Sequence, residues 1–239
     1  FIWAAADMRT KGFLLGATAG RTTLAGEGLQ HQDGHSHLMA SVVPNVKAYD
    51  PAFAYEIAVI IHDGLQRMYV DQEDVFYYLT LENENYIQPP ILENIDEGII
   101  KGMYKLKSGD SGENPRVQLL ASGSMVNEVL AASQLLKEDW QIDSDVWSVT
   151  SFSELHREAE DKSRWNTLHP DAEDKQSYLG FCMKAENGPV IAVSDYVKLV
   201  AEQIAPYITC PFVALGTDGF GRSETRDELR KFFEVNRYY

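Results

Sequence analysis

Basic residues are scarce in this chain of 239 residues. Its 21 lysines and arginines stand against 36 aspartates and glutamates, which gives a formal net charge of −15. The basic residues form no stripe with interleaved aromatics, so the electrostatic pattern of a nucleic-acid-binding protein is missing. No apolar run approaches the 18 or more residues of a membrane span. The sequence therefore predicts a soluble protein that binds neither nucleic acid nor membrane.

Cysteine and proline are also rare. Cys182 and Cys210 are isolated, without the CxxC spacing of a zinc ribbon, which fits two buried thiols in a reducing compartment. We therefore expect a cytoplasmic protein. Only 9 prolines accompany a hydrophobic content of 44%, as is typical of a packed globular chain. The chain begins at Phe1 with neither an initiator methionine nor a signal peptide, and we expect a piece of a longer polypeptide.

Short apolar segments alternate with helical patterns along the chain. Strands are predicted over residues 12–16, 45–49, 75–81, 117–121, 146–149, 189–193 and 212–215. Helices are predicted over residues 52–69, 125–139, around 196–204, and after a capping box at 225–228. The first of these helices has Asp50 as its N-cap and Pro51 at its first position, and its apolar stripe comprises Ala54, Ile57, Ala58, Ile61 and Leu65. The alternation indicates an α/β fold with a mostly parallel sheet.

The composition changes between residues 82 and 115. This stretch contains Pro89-Pro90, several acidic residues and the sequence SGDSGENP, which are typical of a linker. We expect a first domain over residues 1–88, a linker over 89–115 with a surface hairpin or helix inside it, and a second domain over 116–239.

Two glycine-rich segments are weak candidates for cofactor sites. Residues 16–22 (GATAGRT) follow a strand, but a Walker loop has one more residue between its glycines and a lysine where Arg21 stands. Residues 216–219 (GTDG) resemble the acidic turn that holds Mg²⁺ and diphosphate in thiamine enzymes, yet Thr217 and the missing downstream asparagine argue against that role. We interpret both segments as turns whose glycines permit positive φ.

Histidines are concentrated in residues 26–37 (GEGLQHQDGHSH). Four potential metal ligands alternate there, and on an extended segment they would face one side: His31, Asp33, His35 and His37. The chain offers no HExxH motif to complete such a site, and His62 is interpreted as a structural histidine beside the helix stripe. Glycines at 26, 28 and 34 indicate a fixed backbone turn between two strands. The pattern favours a catalytic loop and leaves a metal site and an inert surface loop open.

A family resemblance is carried by six segments: GEGLQHQDGHSHL, VPNVKAYDPAFAYEIAVIIHDGLQRMY, LENENYIQP, ASGS, SVTSF and ALGTDGFGRSETRDELRKFFEV. Together they closely resemble the homodimeric E1 component of bacterial pyruvate dehydrogenase complexes, nearly end to end. The resemblance implies the last part of a thiamine diphosphate-binding (pyrimidine) middle domain over residues 1–88. It implies a truncated, transketolase-like C-terminal α/β domain over residues 116–239.

The resemblance also implies a function. Members of this family use thiamine diphosphate and Mg²⁺ to decarboxylate pyruvate and pass an acetyl group to the lipoyl arm of dihydrolipoyl acetyltransferase (E2). The family's diphosphate and metal ligands lie upstream of Phe1, so we expect neither a cofactor-binding nor a metal-ligating residue in this chain. The isolated chain is expected to be inactive. Transketolase, another 2-oxo acid dehydrogenase E1, a non-catalytic dimerisation or docking fragment, and a metal-dependent hydrolase remain alternatives.

Individual roles follow from the same resemblance. His31 matches the family's active-site histidine, which hydrogen-bonds the substrate-derived adduct and transfers protons during acetyl transfer, a task suited to an imidazole. Glu27, four residues earlier, matches a second active-site position. Asp33 and His37 are expected to orient and polarise, and His35 to have either a direct or a structural role. The C-terminal domain is implied to be structural, to lie away from the cofactor and to contribute to the dimer.

Overall fold

The computed structural model describes residues 1–110, 112 and 114–239. The first part contains strands β1 (Phe13–Ala17), β2 (Val46–Tyr49) and β3 (Phe76–Leu81). These strands form a parallel sheet in the order β1-β3-β2. Its helices are α1 (Ile2–Asp7), α2 (Ser36–Ser41) and α3 (Ala54–Leu65), which continues in a π-helical segment over Gln66–Val70.

The second part is built on a five-stranded sheet. Its strands are β4 (Tyr104–Lys107), β5 (Arg116–Ala121), β6 (Asp143–Ser148), β7 (Val190–Val193) and β8 (Phe212–Leu215). They lie in the order β4-β6-β5-β7-β8, and all pairs are parallel except β4 with β6. The helices are α4 (Asp96–Lys101), α5 (Met125–Trp140), α6 (Phe152–Leu168), α7 (Tyr178–Met183), α8 (Leu199–Glu202) and α9 (Arg226–Phe232). The prediction of an α/β fold with mostly parallel sheets is confirmed.

The burial of each strand follows from its position in its sheet. Central strand β5 is buried from Val117 to Ala121, because a parallel strand is covered by helices on both faces. Edge strand β1 instead exposes Leu14 and Leu15. Strand β4 lies inside the segment 89–115 that was predicted as a linker, and it belongs to the second sheet. The division of the chain at residues 88 and 116 stays a prediction.

Two predictions about helix α3 are wrong. It begins at Ala54 with Phe53 as N-cap, so Asp50 is not its cap. The carboxylate of Glu56 accepts the N–H groups of Ala52 (2.6 Å) and Phe53 (3.1 Å) instead. The predicted stripe is also wrong, because all five of its members are exposed or only partly buried while the buried positions are Glu56, Ile60 and Gly64. Since α3 is apolar around most of its circumference, spacing alone could not identify the buried face.

The two sheets meet at the carboxyl ends of their strands. The N–H of Asp50, after β2, donates to the carbonyl of Thr150, after β6, at 2.8 Å. The N–H of Gly123, after β5, donates to the carbonyl of Asp50 at 3.1 Å. Cys182 and Cys210 are only partly buried, contrary to expectation. Within the described ranges, no helix is long and apolar enough to cross a membrane.

Candidate active site

Glu27 and His31 lie together at a surface cavity. Nε2 of His31 is 3.8 Å from Oε2 of Glu27, and both side chains are more than half exposed. They line a cavity of about 390 Å³ together with Ala17, Thr18, Leu24 and Asn83. The separation is too long for a hydrogen bond but short enough for an ion pair when the imidazole is protonated. The cavity thus combines a potential proton carrier with a neighbouring carboxylate.

The backbone around this pair turns as the glycines predict. Gly26 and Gly28 flank Glu27 with φ values of +79° and +78°, a conformation that side chains with a Cβ seldom adopt. The N–H of His31 donates to the carbonyl of Gly28 at 3.2 Å, which closes the turn. The glycines therefore bring two side chains four residues apart to one cavity outside any helix.

Asp33 organises the start of helix α2. Its carboxylate accepts the N–H groups of His35 (3.0 Å) and Ser36 (3.0 Å), and it also accepts the hydroxyl of Ser36. These contacts satisfy backbone donors that a helix start leaves free. The side chain of His35 is exposed. Because a helix begins at Ser36, the chain is not extended there, and the predicted alternation of ligands on one side is wrong.

His37 is buried away from the cavity. Its Nε2 lies 3.0 Å from the hydroxyl of Thr80, which itself donates to the carboxylate of Asp50 at 2.6 Å. The hydroxyl can therefore only accept from His37, which puts the ring proton on Nε2. The ring packs edge-on against Tyr196 at 4.7 Å. Burial lowers the pKa of His37, against the opposing charges of Asp50 and Asp33.

A buried acidic pair lies where the two sheets meet. Asp50 accepts the hydroxyl of Ser122 at 2.6 Å, and Glu82 lies close to it across Gly123. A Cβ on Gly123 would stand 2.6 Å from Oε1 of Glu82 and 2.9 Å from Oδ2 of Asp50. Burial, and then the charges of Asp50 and Asp195, raise the pKa of Glu82 well above its ordinary value. This favours the protonated acid, as expected for carboxyls that crowd one another.

Asp195 fills the turn that resembled a phosphate loop. Its buried carboxylate accepts the N–H of Arg21 (2.9 Å), the N–H of Thr22 (3.0 Å) and the hydroxyl of Thr22 (2.6 Å). The N–H of Thr23 approaches at 3.4 Å. Successive N–H groups of this kind form an anion-binding concavity. The segment 16–22 thus binds an anion, and that anion belongs to the protein itself.

Sequence reasoning did not identify three of these acidic residues as parts of the site. Asp50, Glu82 and Asp195 each stand within two residues of the end of a parallel strand. Ligand and catalytic groups in open α/β sheets concentrate at such ends, so this position was the available signal. Among the residues that the structure describes, no group of three or more His, Cys, Asp or Glu side chains could hold a metal ion.

Comparison with solved structures identifies the fold class. Transketolase from Campylobacter jejuni superposes with a TM-score of 0.70 over 99% of this chain and 31% of that chain, at 20% identity. Transketolase from Leishmania mexicana gives a TM-score of 0.64 over 93% of this chain and 28% of that chain, at 19% identity. At these identities the likeness concerns the fold alone. The molecule therefore has a transketolase-like α/β fold.

Two family matches make this more specific. The pyruvate dehydrogenase E1 component middle domain matches residues 1–89, and the transketolase-like C-terminal domain matches residues 102–236. The chain therefore belongs to the family with the transketolase-like C-terminal domain, and its first 89 residues match the middle domain of pyruvate dehydrogenase E1 components. The E1 component of Cupriavidus necator is 56% identical over 238 residues, and that of Escherichia coli K12 is 51% identical over 239. The chain spans 27% of the length of each of these relatives.

Proposed function

We propose that this chain supplies Glu27 and His31 to the active site of a pyruvate dehydrogenase E1 component, which works as a cytoplasmic homodimer. The observation that carries the proposal is the pair itself, 3.8 Å apart at an open cavity. Identities of 51–56% to proteins named pyruvate dehydrogenase E1 component support it. The substrate is then pyruvate, and the acetyl acceptor is the lipoyl group of E2.

Thiamine diphosphate and Mg²⁺ enter this proposal as the cofactors that such enzymes use. Thiamine diphosphate supplies the electron sink for decarboxylation. The described residues contain no cluster suited to Mg²⁺, and the one backbone anion site identified above is filled by Asp195. We assign no cofactor ligand to this chain and derive no step through the cofactor.

The residues of this chain act on protons and on orientation. Nε2 of His31 donates a proton to, or accepts one from, the oxygen or sulfur atom of the reacting group, as an imidazole can near neutral pH. Glu27 stabilises the imidazolium when it forms, because a carboxylate 3.8 Å away attracts the positive charge. Asp33 and His37 orient the loop through their hydrogen bonds with Ser36 and Thr80, and His35 lies outside the cavity. The exposure of the pair gives a flexible lipoyl arm access to it.

The test is made in the full-length enzyme. His31→Ala is expected to lower lipoyl acetylation by about a hundredfold or more, the usual range for a general acid or base. Glu27→Gln keeps the shape and removes the charge, so a smaller loss is expected. His169→Ala is the control, because that imidazole stacks on Trp165 in the second part of the chain. Unchanged lipoyl acetylation in His31→Ala would remove this histidine from the mechanism.

A second expectation concerns the isolated chain. Mixed with Mg²⁺, thiamine diphosphate and pyruvate, it should release no CO₂ above background, since we assign it no cofactor ligand. The measurement is the release of labelled CO₂ from pyruvate labelled at C1. Sustained turnover by this chain alone would contradict the assignment.

A further inference from the structure

Residues 217–226 (TDGFGRSETR), which we name the clamp segment, run along the loop that carries Glu27 and His31. The segment connects β8 to α9. The N–H of Gly26 donates to the carbonyl of Glu224 at 2.9 Å. Nη1 of Arg21 donates to the carbonyl of Thr217 at 2.6 Å, and Nε of Arg226 donates to the carbonyl of Thr23 at 2.8 Å. The clamp segment therefore holds the catalytic loop at several separate points.

Gln32 makes the most specific of these contacts. Its Nε2 donates to the carbonyl of Arg222 at 2.8 Å, and its Oε1 accepts the N–H of Arg222 at 2.8 Å. Nε2 also approaches the carbonyl of Leu24 at 3.3 Å. The side-chain amide thus pairs with one backbone residue as two peptide groups do. Gln32 is buried, whereas its neighbour His31 is exposed in the cavity. The two hydrogen bonds between Gln32 and Arg222 therefore fix the backbone next to the imidazole.

Glycines allow the two segments to approach closely. A Cβ on Gly221 would lie 2.4 Å from Oε1 of Gln32, and a Cβ on Gly28 would lie 2.3 Å from Oγ of Ser223. Real Cβ atoms essentially never approach another atom so closely, so a side chain at either position would displace the facing oxygen. The two glycines therefore let the clamp segment and the catalytic loop approach without moving Gln32 or Ser223.

The clamp segment also contacts the opposite wall of the cavity. Nη2 of Arg226 donates to the carbonyl of Asn83 at 3.2 Å, and Asn83 lines the same cavity as Glu27 and His31. One arginine thus joins the loop before Glu27 to the segment after β3. The width of the cavity is set in part by a side chain of the second part of the chain.

We propose that the clamp segment positions the active site, with Gln32 as the positioning residue that acts through His31. Gln32 touches neither substrate nor cofactor in this assignment. The inference rests on the proposed function of Glu27 and His31. It differs from the purely structural role that the family resemblance implies for the C-terminal domain, because residues after β8 here fix the geometry of the reacting groups.

The test compares two rates in the full-length enzyme. Lipoyl acetylation requires the proposed proton transfer by His31, whereas pyruvate decarboxylation with an artificial electron acceptor is followed separately. Gln32→Glu keeps the shape but cannot donate to the carbonyls of Arg222 and Leu24. We expect lipoyl acetylation to fall about tenfold to a hundredfold, as for misplacement by about 1 Å, and decarboxylation to fall much less. Gln32→Asn, which keeps the donor on a shorter arm, should lie between wild type and Gln32→Glu.

A second variant reaches the same contact from the other side. Gly221→Ala introduces a methyl group against Gln32 and leaves the catalytic loop sequence unchanged. It should lower the same ratio of acetylation to decarboxylation. Gln118→Glu is the matched control, because this buried amide donates to Asp145 at 2.8 Å within the second sheet, far along the chain from the loop. It should destabilise the protein and leave the ratio unchanged.

The outcomes separate this inference from the proposed function. A wild-type ratio in folded Gln32→Glu or Gly221→Ala protein overturns the positioning role, as does a loss of both rates in equal proportion. If His31→Ala keeps full lipoyl acetylation, the proposed function itself fails. A selective loss in His31→Ala, Gln32→Glu and Gly221→Ala, with the ratio kept in Gln118→Glu, supports both.

Discussion

Removing the carboxylate of Asp195 should be among the most destabilising single substitutions in this chain. The carboxylate accepts three close donors, namely the N–H groups of Arg21 and Thr22 and the hydroxyl of Thr22. In Asp195→Ala these buried donors lose their acceptor. A buried donor without a partner costs about 1–3 kcal/mol. Taking the lower half of that range for three donors gives a loss of about 3–6 kcal/mol, and the longer contacts to Thr23 are left out of this figure.

Urea unfolding at neutral pH, followed by circular dichroism, measures this loss. Asp171→Ala is the control, because Asp171 is exposed, and such substitutions change stability by about 0.5 kcal/mol or less. Asp195→Asn should cost less than Asp195→Ala, since an amide oxygen can still accept while the buried charge is removed. A loss below about 1 kcal/mol in Asp195→Ala would refute the reasoning, because the turn would then satisfy its donors without this side chain.

Three further predictions concern buried charges. Burial raises the pKa of Asp195 to about 6, against the hydrogen bonds from Thr22, so the folded state binds this proton more tightly than the unfolded state. The cost of Asp195→Asn should therefore grow by about 1 kcal/mol as the pH falls from 7 to 5, and urea titrations at both pH values check this. Gly123→Ala should cost about 2–4 kcal/mol, because φ is +51° and a Cβ would meet two carboxylates; a wild-type urea midpoint would contradict it. Glu128→Gln weakens bonds from the backbone N–H (3.0 Å) and Nη2 (2.9 Å) of Arg237, and a loss of about 1–2 kcal/mol in the same assay is expected.

The sequence predicted elements whose signals are local. Alternating strands and helices follow from short apolar runs and turn residues, and Thr225 caps α9 through the N–H of Glu228 as its capping box predicts. Helix α6 was not predicted, because only four of its 17 residues are buried and its apolar stripe is correspondingly thin. The approach of Glu27 to His31 was suggested by their spacing and by the family resemblance together.

Long-range contacts could not be predicted from the sequence. Asp195 binds backbone N–H groups that lie 174 and 173 residues earlier in the chain, and backbone groups carry no signal of their partner. Gln32 contacts a backbone position 190 residues away for the same reason. His37 was grouped with His31 by its position in the loop. Helix α2 begins between the two histidines and directs the side chain of His37 into the core, where it hydrogen-bonds Thr80.

The carboxylate held in the turn before Glu27 has a consequence for how this chain responds to dissolved anions. A phosphate from solution would have to displace Asp195, which is tethered to the same molecule and so is present at an effective concentration in the millimolar range or above. Physiological phosphate therefore competes poorly for this turn. Mutating Asp195 to a small neutral residue would vacate this turn. The same glycine-rich backbone would then bind inorganic phosphate or sulfate reversibly.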